Sequence, residues 1–132
     1  MTLVDSNIIL DLVTADERWL EWSSKHLASA ADAGPVAINP VIFAECAYGY
    51  EDAADLLSDL PAGMELLPLP YEAAFLAGKA FANYRRQGGR RERILGDFYV
   101  GAHAEVAGLQ LLTRDAARYR TYFPKVKLIA PR

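Results

Sequence analysis

The stretch LVDSNIIL, residues 3–10, changes from strand-like to helix-like character around one aspartate. Leu3 and Val4 are typical of a short buried strand, and the three polar residues that follow them favour the cap of a helix. The apolar residues after this cap predict a short helix that ends near Val13. A strand that leads directly into a helix is typical of a βαβ unit, so the stretch predicts a parallel sheet covered by helices.

The same alternation of short apolar runs and longer amphipathic segments continues along the chain. Asn39 and Pro40 predict a capped helix start, and Gly108 is typical of the residue just beyond a helix. We predict further strands at 36–38, 65–67, 111–112 and 126–129, and further helices at 16–33, from 40 onwards, and at 51–60, 71–86, 95–107 and 116–122. The fold class is therefore predicted as three-layer α/β, with a small, mostly parallel central sheet flanked by helices, and residues 1–132 as a single domain.

The composition and net charge exclude several classes of protein. With 52% hydrophobic and 23% charged residues the chain has ordinary globular usage. Its one cysteine, Cys46, excludes a disulfide framework and a cysteine-rich zinc site. The net charge of −3 argues against a general nucleic-acid coat, but it allows a nuclease with an acidic site beside a local basic patch. The apolar runs are too short for a membrane span and no signal peptide is visible, so we expect a cytoplasmic protein.

Four carboxylates lie next to apolar residues at predicted strand or helix ends: Asp5, Glu45, Asp97 and Asp115. Asp5 and Asp115 follow predicted strands, and sites in parallel sheets form beyond the carboxyl ends of the strands. Each acid alone has an ordinary structural interpretation as a cap, a turn residue or a helix acid. Together, however, they would repel one another unless a divalent cation neutralised them, and oxygen-only ligands favour Mg²⁺ or Mn²⁺. The set therefore predicts a metal site suited to cleaving phosphodiesters.

Several motifs resemble those of PIN domains. Residues 4–10, VDSNIIL, resemble the family's opening strand with its terminal aspartate, and residues 40–45, PVIFAE, resemble its second acidic motif. Residues 96–104, GDFYVGAHA, resemble the third, and residues 108–115, GLQLLTRD, resemble the fourth. Residues 122–124 and 127–129 are similar to the closing segment. The motifs follow in the family's order over nearly the whole chain, whose compact length is similar to that of VapC-type toxins of toxin–antitoxin pairs.

The resemblance implies a PIN fold and a Mg²⁺- or Mn²⁺-dependent endoribonuclease that leaves 5′-phosphate and 3′-hydroxyl ends. It also implies neutralisation by a cognate antitoxin protein and, as is common for such toxins, a homodimer. It implies catalytic, metal-binding roles for the four acids, with Asn7 and Thr113 as supporting polar groups. Asp5 and Asp97 are the first candidates for direct ligands. The chain departs from some relatives at Gly101, where they carry a further acid.

A cluster of arginines directly precedes Asp97 and comprises Arg85, Arg86, Arg90, Arg91 and Arg93. The planar guanidinium group binds phosphate well, so we predict that the cluster guides the RNA backbone towards the metal site. The alternative is a solvated helix end, whose arginines simply balance the partial negative charge of a helix C-terminus.

Two other functions remain open at this stage. A phosphatase with Asp5 as its nucleophile would need an acid two residues later, and Asn7 at that position cannot deliver a proton. A binding module without catalytic activity would retain the fold for partner contact, although the acidic set argues against it.

Aromatic residues and histidines receive the more ordinary interpretation. Trp19, Trp22 and His26 share one face of a predicted helix, which favours core packing, the alternative being a groove for an antitoxin helix or a second copy. His103 and Cys46 are interpreted as packed residues, not as ligands.

Overall fold

The central sheet has five strands in the order β3-β2-β1-β4-β5, in a computed structural model that describes residues 1–90 and 95–132. The strands are Thr2–Val4 (β1), Val36–Ile38 (β2), Glu65–Leu66 (β3), Gln110–Leu112 (β4) and Leu128–Ile129 (β5). All four neighbouring pairs are parallel. Because β1 is the middle strand, Asp5 directly after it lies at the centre of the carboxyl edge.

Seven α-helices connect or follow these strands in the described parts of the chain. They are Ser6–Val13 (α1), Leu20–Ala33 (α2), Pro40–Cys46 (α3), Ala53–Asp59 (α4), Tyr71–Arg86 (α5), Gly96–Ala107 (α6) and Ala117–Tyr122 (α7), and a 3₁₀ turn spans Ala47–Gly49. The Asn39 side chain accepts a hydrogen bond from the Ile42 amide at 2.9 Å and so caps α3, with Pro40 in the first turn. Gly108 ends α6 with a left-handed φ of 67°, as predicted.

Burial of the strands defines the layers. Every residue of β1 and β2 is buried. Since neighbouring residues of a strand point to opposite faces of the sheet, both faces must be covered by helices. This confirms the predicted three-layer α/β class. No helix in residues 1–90 or 95–132 combines the length and apolar character needed to cross a membrane.

Three predicted starts are wrong by two residues or more: those of α2, of α4, which begins at Ala53 and not at residue 51, and of β5. The α-helix predicted from Asp16 begins only at Leu20, after a turn over residues 17–19 whose Arg18 and Trp19 amides donate hydrogen bonds to the Asp16 carboxylate, both at 2.9 Å. The last strand, predicted from Val126, begins at Leu128. Val126 instead donates its amide hydrogen to the Phe123 carbonyl at 3.1 Å, which closes a turn before the strand.

Gly101 lies where α6 packs against a buried ring. A Cβ atom at this position would overlap ring atoms of Phe123. Phe123 is only 1% exposed, so its ring has no open space into which to move. The packing of this chain therefore leaves no room for the further acid that some PIN domains carry there.

We predict that Gly101→Ala lowers the free energy of unfolding by about 1–3 kcal/mol, because the extra methyl group overpacks the core. Gly78→Ala is the matched control, since Gly78 is also helical but a Cβ atom added there would meet nothing within 4 Å. That variant should gain about 0.5–1 kcal/mol from helix propensity. Urea denaturation of both proteins measures the difference, and equal shifts in the same direction would contradict the packing argument.

Candidate metal centre

Asp5 is a buried carboxylate held by donors from three parts of the fold. It is 3% exposed, and its Oδ1 accepts a hydrogen bond from the Ser6 amide at 2.8 Å, which caps α1. Its Oδ2 accepts from the hydroxyls of Thr113 and Tyr119, each at 2.9 Å. Burial raises the pKa of Asp5, while these donors oppose the rise.

The two predicted supporting residues form a chain of hydrogen bonds that ends at Asp5. Thr113 Oγ1 accepts from Asn7 Nδ2 at 3.1 Å and from the Asp115 amide at 3.2 Å, and its own hydrogen goes to Asp5. Asn7 Oδ1 in turn accepts from the Arg114 amide at 3.3 Å. These bonds tie the segment after β4 to the start of α1 and fix the orientation of the Asp5 carboxylate.

Asp97 lies in the first turn of α6, where Tyr119 links it to Asp5. The Tyr119 hydroxyl, which donates to Asp5, also lies 3.4 Å from Asp97 Oδ1. Asp97 Oδ2 accepts a hydrogen bond from Arg118 Nη1 at 3.1 Å. Burial raises the pKa of Asp97, and the charge of Asp115 adds to the rise against the opposing Arg118.

Glu45 and Asp115 border this pair on either side. Glu45 is exposed, but its carboxyl packs so closely on Gly96 that a Cβ atom there would overlap it. Loss of water on that side, followed by the charge of Asp5, raises the pKa of Glu45 to about 7. Asp115 is exposed and lines a recess of about 370 Å³ together with Asp97.

The four carboxylates are close enough to influence one another, yet they do not form a ready set of ligands. In residues 1–90 and 95–132, no three His, Cys, Asp or Glu side chains are grouped so that they could hold a metal ion. The Tyr119 hydroxyl lies between Asp5 and Asp97, and Arg118 occupies one oxygen of Asp97. The donor set still fits Mg²⁺ or Mn²⁺, because every donor is an oxygen and, in the described residues, Arg118 is the only cation that pairs with any of the four acids.

The comparisons agree with the fold and with the order of the motifs. Residues 2–124 match the family model of the PIN domain. The chain belongs to the PIN domain family. The comparison with curated protein sequences found no match.

Solved structures with the same fold come from several bacteria. VapBC2 from Rickettsia felis, bound to a promoter DNA fragment, has a TM-score of 0.71 at 17% identity, over 98% of this chain and 97% of that one. DNA-bound VapBC from Salmonella typhimurium has a TM-score of 0.72 at 16% identity, over 98% and 96%. VapC20 from Mycobacterium tuberculosis, a toxin that cleaves the sarcin-ricin loop, has a TM-score of 0.65 at 18% identity, over 96% and 99%. At these identities the likeness shows the fold alone.

Two residues of this PIN domain site, Arg118 and Tyr119, were missed by the sequence interpretation. Both lie about one helical turn after Asp115, a spacing that brings side chains to the same face of a helix. This spacing could have identified Arg118 and Tyr119 as site candidates from the sequence. A third missed contact fixes the neighbouring segment, because Arg114 Nε donates to the buried Asp11 at 2.9 Å, and Asp11 also accepts from the Ser23 hydroxyl at 2.7 Å.

The arginine cluster is only partly described. Arg85 and Arg86 are exposed in the last turn of α5, and Arg90 is exposed beyond it, while Arg91 and Arg93 lie outside the described residues. None of the three described arginines pairs with the four acids. However, the Tyr122 hydroxyl donates to Gln87 Oε1 at 3.0 Å, and Tyr122 lines the recess with Asp97 and Asp115. The end of α5 therefore lies beside that recess.

Three of the remaining aromatic and polar candidates, Trp22, His103 and Cys46, are packing residues in the PIN domain, whereas Trp19 lies just before α2. Trp22 is half-buried, stacks on His26 at 4.1 Å between ring centres and packs against the core. His103 is buried, with its Nδ1 atom 3.0 Å from Asn39 Nδ2, and burial lowers its pKa. Burial also raises the pKa of the Cys46 thiol to about 12, which keeps it protonated and unreactive.

Glu45 predicts how the stability of the PIN domain varies with pH. Its pKa rises from 4.5 to about 7 on folding, so folding takes up a proton between these values. The stabilisation by protonated Glu45 is therefore complete below pH 4.5 and is lost as the pH rises to about 7. In Glu45→Gln, which stays neutral, we expect a gain over the wild type above this window of about 1 kcal/mol, a small value because solvent screens the exposed side chain.

Urea denaturation across the window, with a chelator present, measures this difference. Glu105→Gln is the control for net charge, because it removes one carboxylate from α6 two helical turns beyond Asp97. If Glu45→Gln and the wild type have the same stability at every pH, the prediction is contradicted, because the charge of Glu45 would then cost no stability.

Proposed function

We propose that this PIN domain is a Mg²⁺- or Mn²⁺-dependent endoribonuclease and the toxin of a toxin–antitoxin pair. The observation that carries the proposal is the linkage of buried Asp5 and half-buried Asp97 through Tyr119 at the carboxyl edge of the sheet. Carboxylates this close oppose each other's ionisation, and a hard divalent cation relieves that repulsion. The family match and the toxin structures of the same fold support the same interpretation.

In this proposal Asp5 and Asp97 hold the ion directly, and Glu45 and Asp115 hold it directly or through water. When bound, the ion neutralises the phosphate and lowers the pKa of the attacking water. Asn7 and Thr113 keep the Asp5 carboxylate in one orientation through their hydrogen bonds.

Two recesses flank the proposed site and give a strand of RNA a path across it. One, of about 470 Å³, is lined by Pro40, Val41, Ala44, Glu45, Gly96 and Tyr99. The other, of about 370 Å³, lies on the side of Asp97 and Asp115. Gly96 borders the first recess and Asp97 the second, so the two meet at the start of α6. A phosphate between them would lie next to Asp97.

The distribution of basic residues supports RNA as the substrate. Of the 14 Lys and Arg residues, all except Arg18 and Lys25 lie at or after Lys79. This is the part of the chain that supplies Asp97, Asp115 and the recess between them. The slightly negative net charge therefore conceals a basic second half of the chain, in which the arginines of α5 and α7 provide positive charge for the phosphate backbone of RNA.

Exposed apolar surface supports a protein partner. Tyr71 is 92% and Phe75 is 69% exposed at the start of α5, and Leu57 and Leu66 border an apolar recess of about 420 Å³ next to α3 and α4. Surfaces of this kind mark sites that another protein covers. We propose that the partners are a cognate antitoxin and a second copy of the chain.

We predict that Asp5→Asn and Asp97→Asn each abolish cleavage of total RNA in the presence of Mg²⁺ or Mn²⁺. Each change removes a charged ligand and should lower the cleavage rate by at least about a hundredfold, as expected when metal is lost from a site. Asp5→Asn should also leave the metal-free fold as stable as, or more stable than, the wild type, because it removes a buried charge. Mapping of the cut ends and thermal denaturation measure the two effects.

The same experiment distinguishes the competing functions. A wild-type protein that cuts no RNA with either ion would favour a binding module. Trapping of a phosphoaspartate at Asp5, with turnover of a small phosphate ester, would favour a phosphatase. Full cleavage by a clean Asp5→Asn protein would refute the ligand assignment.

The arginine cluster predicts a salt effect on RNA binding. Changing Arg85, Arg86 and Arg90 to Gln in an Asp97→Asn background should lower the slope of log K against log salt by about 2, since each lost phosphate contact on single strands contributes about 0.7. The control changes Lys25, Lys125 and Lys127 to Gln, because Lys125 and Lys127 precede β5 and so lie near the opposite edge of the sheet. Equal slopes for the two triple variants would show that these arginines do not contact RNA phosphates and only form a solvated helix end.

A further inference from the structure

We propose that Arg118 is an exchangeable counter-ion, which pairs with Asp97 until a divalent cation binds there and then binds an RNA phosphate in the adjoining recess. The inference rests on the proposed function and adds to it a residue that couples metal binding to substrate binding. It comes from the position of one guanidinium group between a candidate metal ligand and a recess of suitable size.

The ion pair between Arg118 and Asp97 is weak enough for another cation to replace Arg118. Arg118 Nη1 lies 3.1 Å from Asp97 Oδ2, and both side chains are 34% exposed. Ion pairs that are partly exposed to solvent contribute little stability, so a divalent cation can displace this arginine. The pair between Arg114 and Asp11 shows the contrast, because Asp11 is 2% exposed and also accepts a hydrogen bond from Ser23. Arg114 is therefore a fixed structural residue, whereas Arg118 is not.

Two aromatic rings keep Arg118 at the site when it leaves Asp97. Its guanidinium carbon lies 5.4 Å from the ring centre of Tyr84 on α5 and 5.8 Å from that of Phe98 on α6. Such cation–π contacts hold the group without using its N–H donors. Of the five donors, only one makes a hydrogen bond within residues 1–90 and 95–132, and that bond goes to Asp97. The guanidinium thus has donors available for a phosphate.

The recess beside Arg118 explains why the two binding events depend on each other. It has a volume of about 370 Å³ and is lined by Asp97, Asp115, Ala117, Arg118, Thr121 and Tyr122, so that among the described lining residues Arg118 is the single cation. Two carboxylates would repel a phosphate while Arg118 is engaged with Asp97. Once a metal ion neutralises Asp97, both the repulsion and the competition for Arg118 are removed. Metal and RNA should therefore each strengthen the binding of the other.

The first test is Mn²⁺ affinity without RNA, measured by electron paramagnetic resonance on the full chain. Arg118→Gln should bind Mn²⁺ about two- to fivefold more tightly than the matched control Arg120→Gln, because the ion no longer has to displace a partly exposed ion pair. Arg120 is exposed on the same helix α7 and makes no ion pair in the described parts of the chain, so its change controls for the loss of one positive charge. Arg118→Lys, which keeps the charge, should restore most of the wild-type affinity.

The second test is RNA cleavage at saturating Mn²⁺. Arg118→Gln should raise KM by about tenfold, the effect of losing one charge-assisted hydrogen bond to phosphate, and should change kcat much less. Arg118→Lys should recover part of the KM. A purely structural role for Arg118 would change melting temperature, kcat and KM together.

Each outcome decides the proposal. Mn²⁺ affinity of Arg118→Gln that equals or falls below that of Arg120→Gln would overturn the exchange, even if the wild type binds Mn²⁺ and cleaves RNA. An unchanged KM would overturn the phosphate contact. A wild-type protein that neither binds Mn²⁺ nor cleaves RNA would instead refute the proposed function, and this inference with it.

Discussion

A buried carboxylate at the end of the middle strand is the constraint on which the rest of the structure depends. Asp5 has almost no access to water, so the protein itself must supply its hydrogen bonds. The donors come from the start of α1, from Thr113 after β4 and from Tyr119 in α7. The bonds that solvate Asp5 therefore also fix how α7 and the end of β4 sit against β1. Fold and candidate site share the same contacts, which is why substitutions at Asp5 or Thr113 test both together.

The same hydrogen bonds to Asp5 also determine which positive charge reaches the site. By anchoring α7 at Asp5, Tyr119 brings its neighbour Arg118 to Asp97, and this arginine is the only cation that pairs with the four acids in the described residues. One guanidinium cannot balance four carboxylates, and the pKa values of Asp5, Glu45 and Asp97 are raised first by burial and further by the charge of a neighbouring acid. A ligand that supplies positive charge to the folded state alone would stabilise it by linkage. The structure thus connects its own stability to the chemistry proposed for it.

The sequence was enough to predict the site residues that directly follow strands. It was not enough to predict the contacts that depend on how the helices pack against one another. Asp5 and Asp115 come directly after predicted strands, so the rule for parallel sheets was enough to place them at one edge. Tyr119 and Arg118 reach the site only because α7 packs at a particular angle, and the contact of Glu45 with Gly96 depends on how α3 meets α6. The helical spacing after Asp115 allows Arg118 and Tyr119 to contact the site, but the spacing alone does not determine that they do so. Asp16 was predicted to start α2, and its side chain accepts from two amides as an N-cap does, but the residues after it form a turn before the regular helix begins at Leu20.

The distribution of charge along the chain favours one direction of approach for the RNA substrate that we propose. Between His26 and Gly78 the chain has no Lys or Arg, and this stretch supplies Glu45 and α4 with its acidic residues. In contrast, α5 and α7 carry arginines beside the second recess. In the proposed function, an RNA strand would therefore enter on the side of Asp97 and Asp115, where Arg118 lies, and continue towards Glu45. The exposed apolar residues Leu57 and Leu66 lie in the stretch without basic residues, and this is the surface proposed for a protein partner because a partner without phosphate needs no positive charge there.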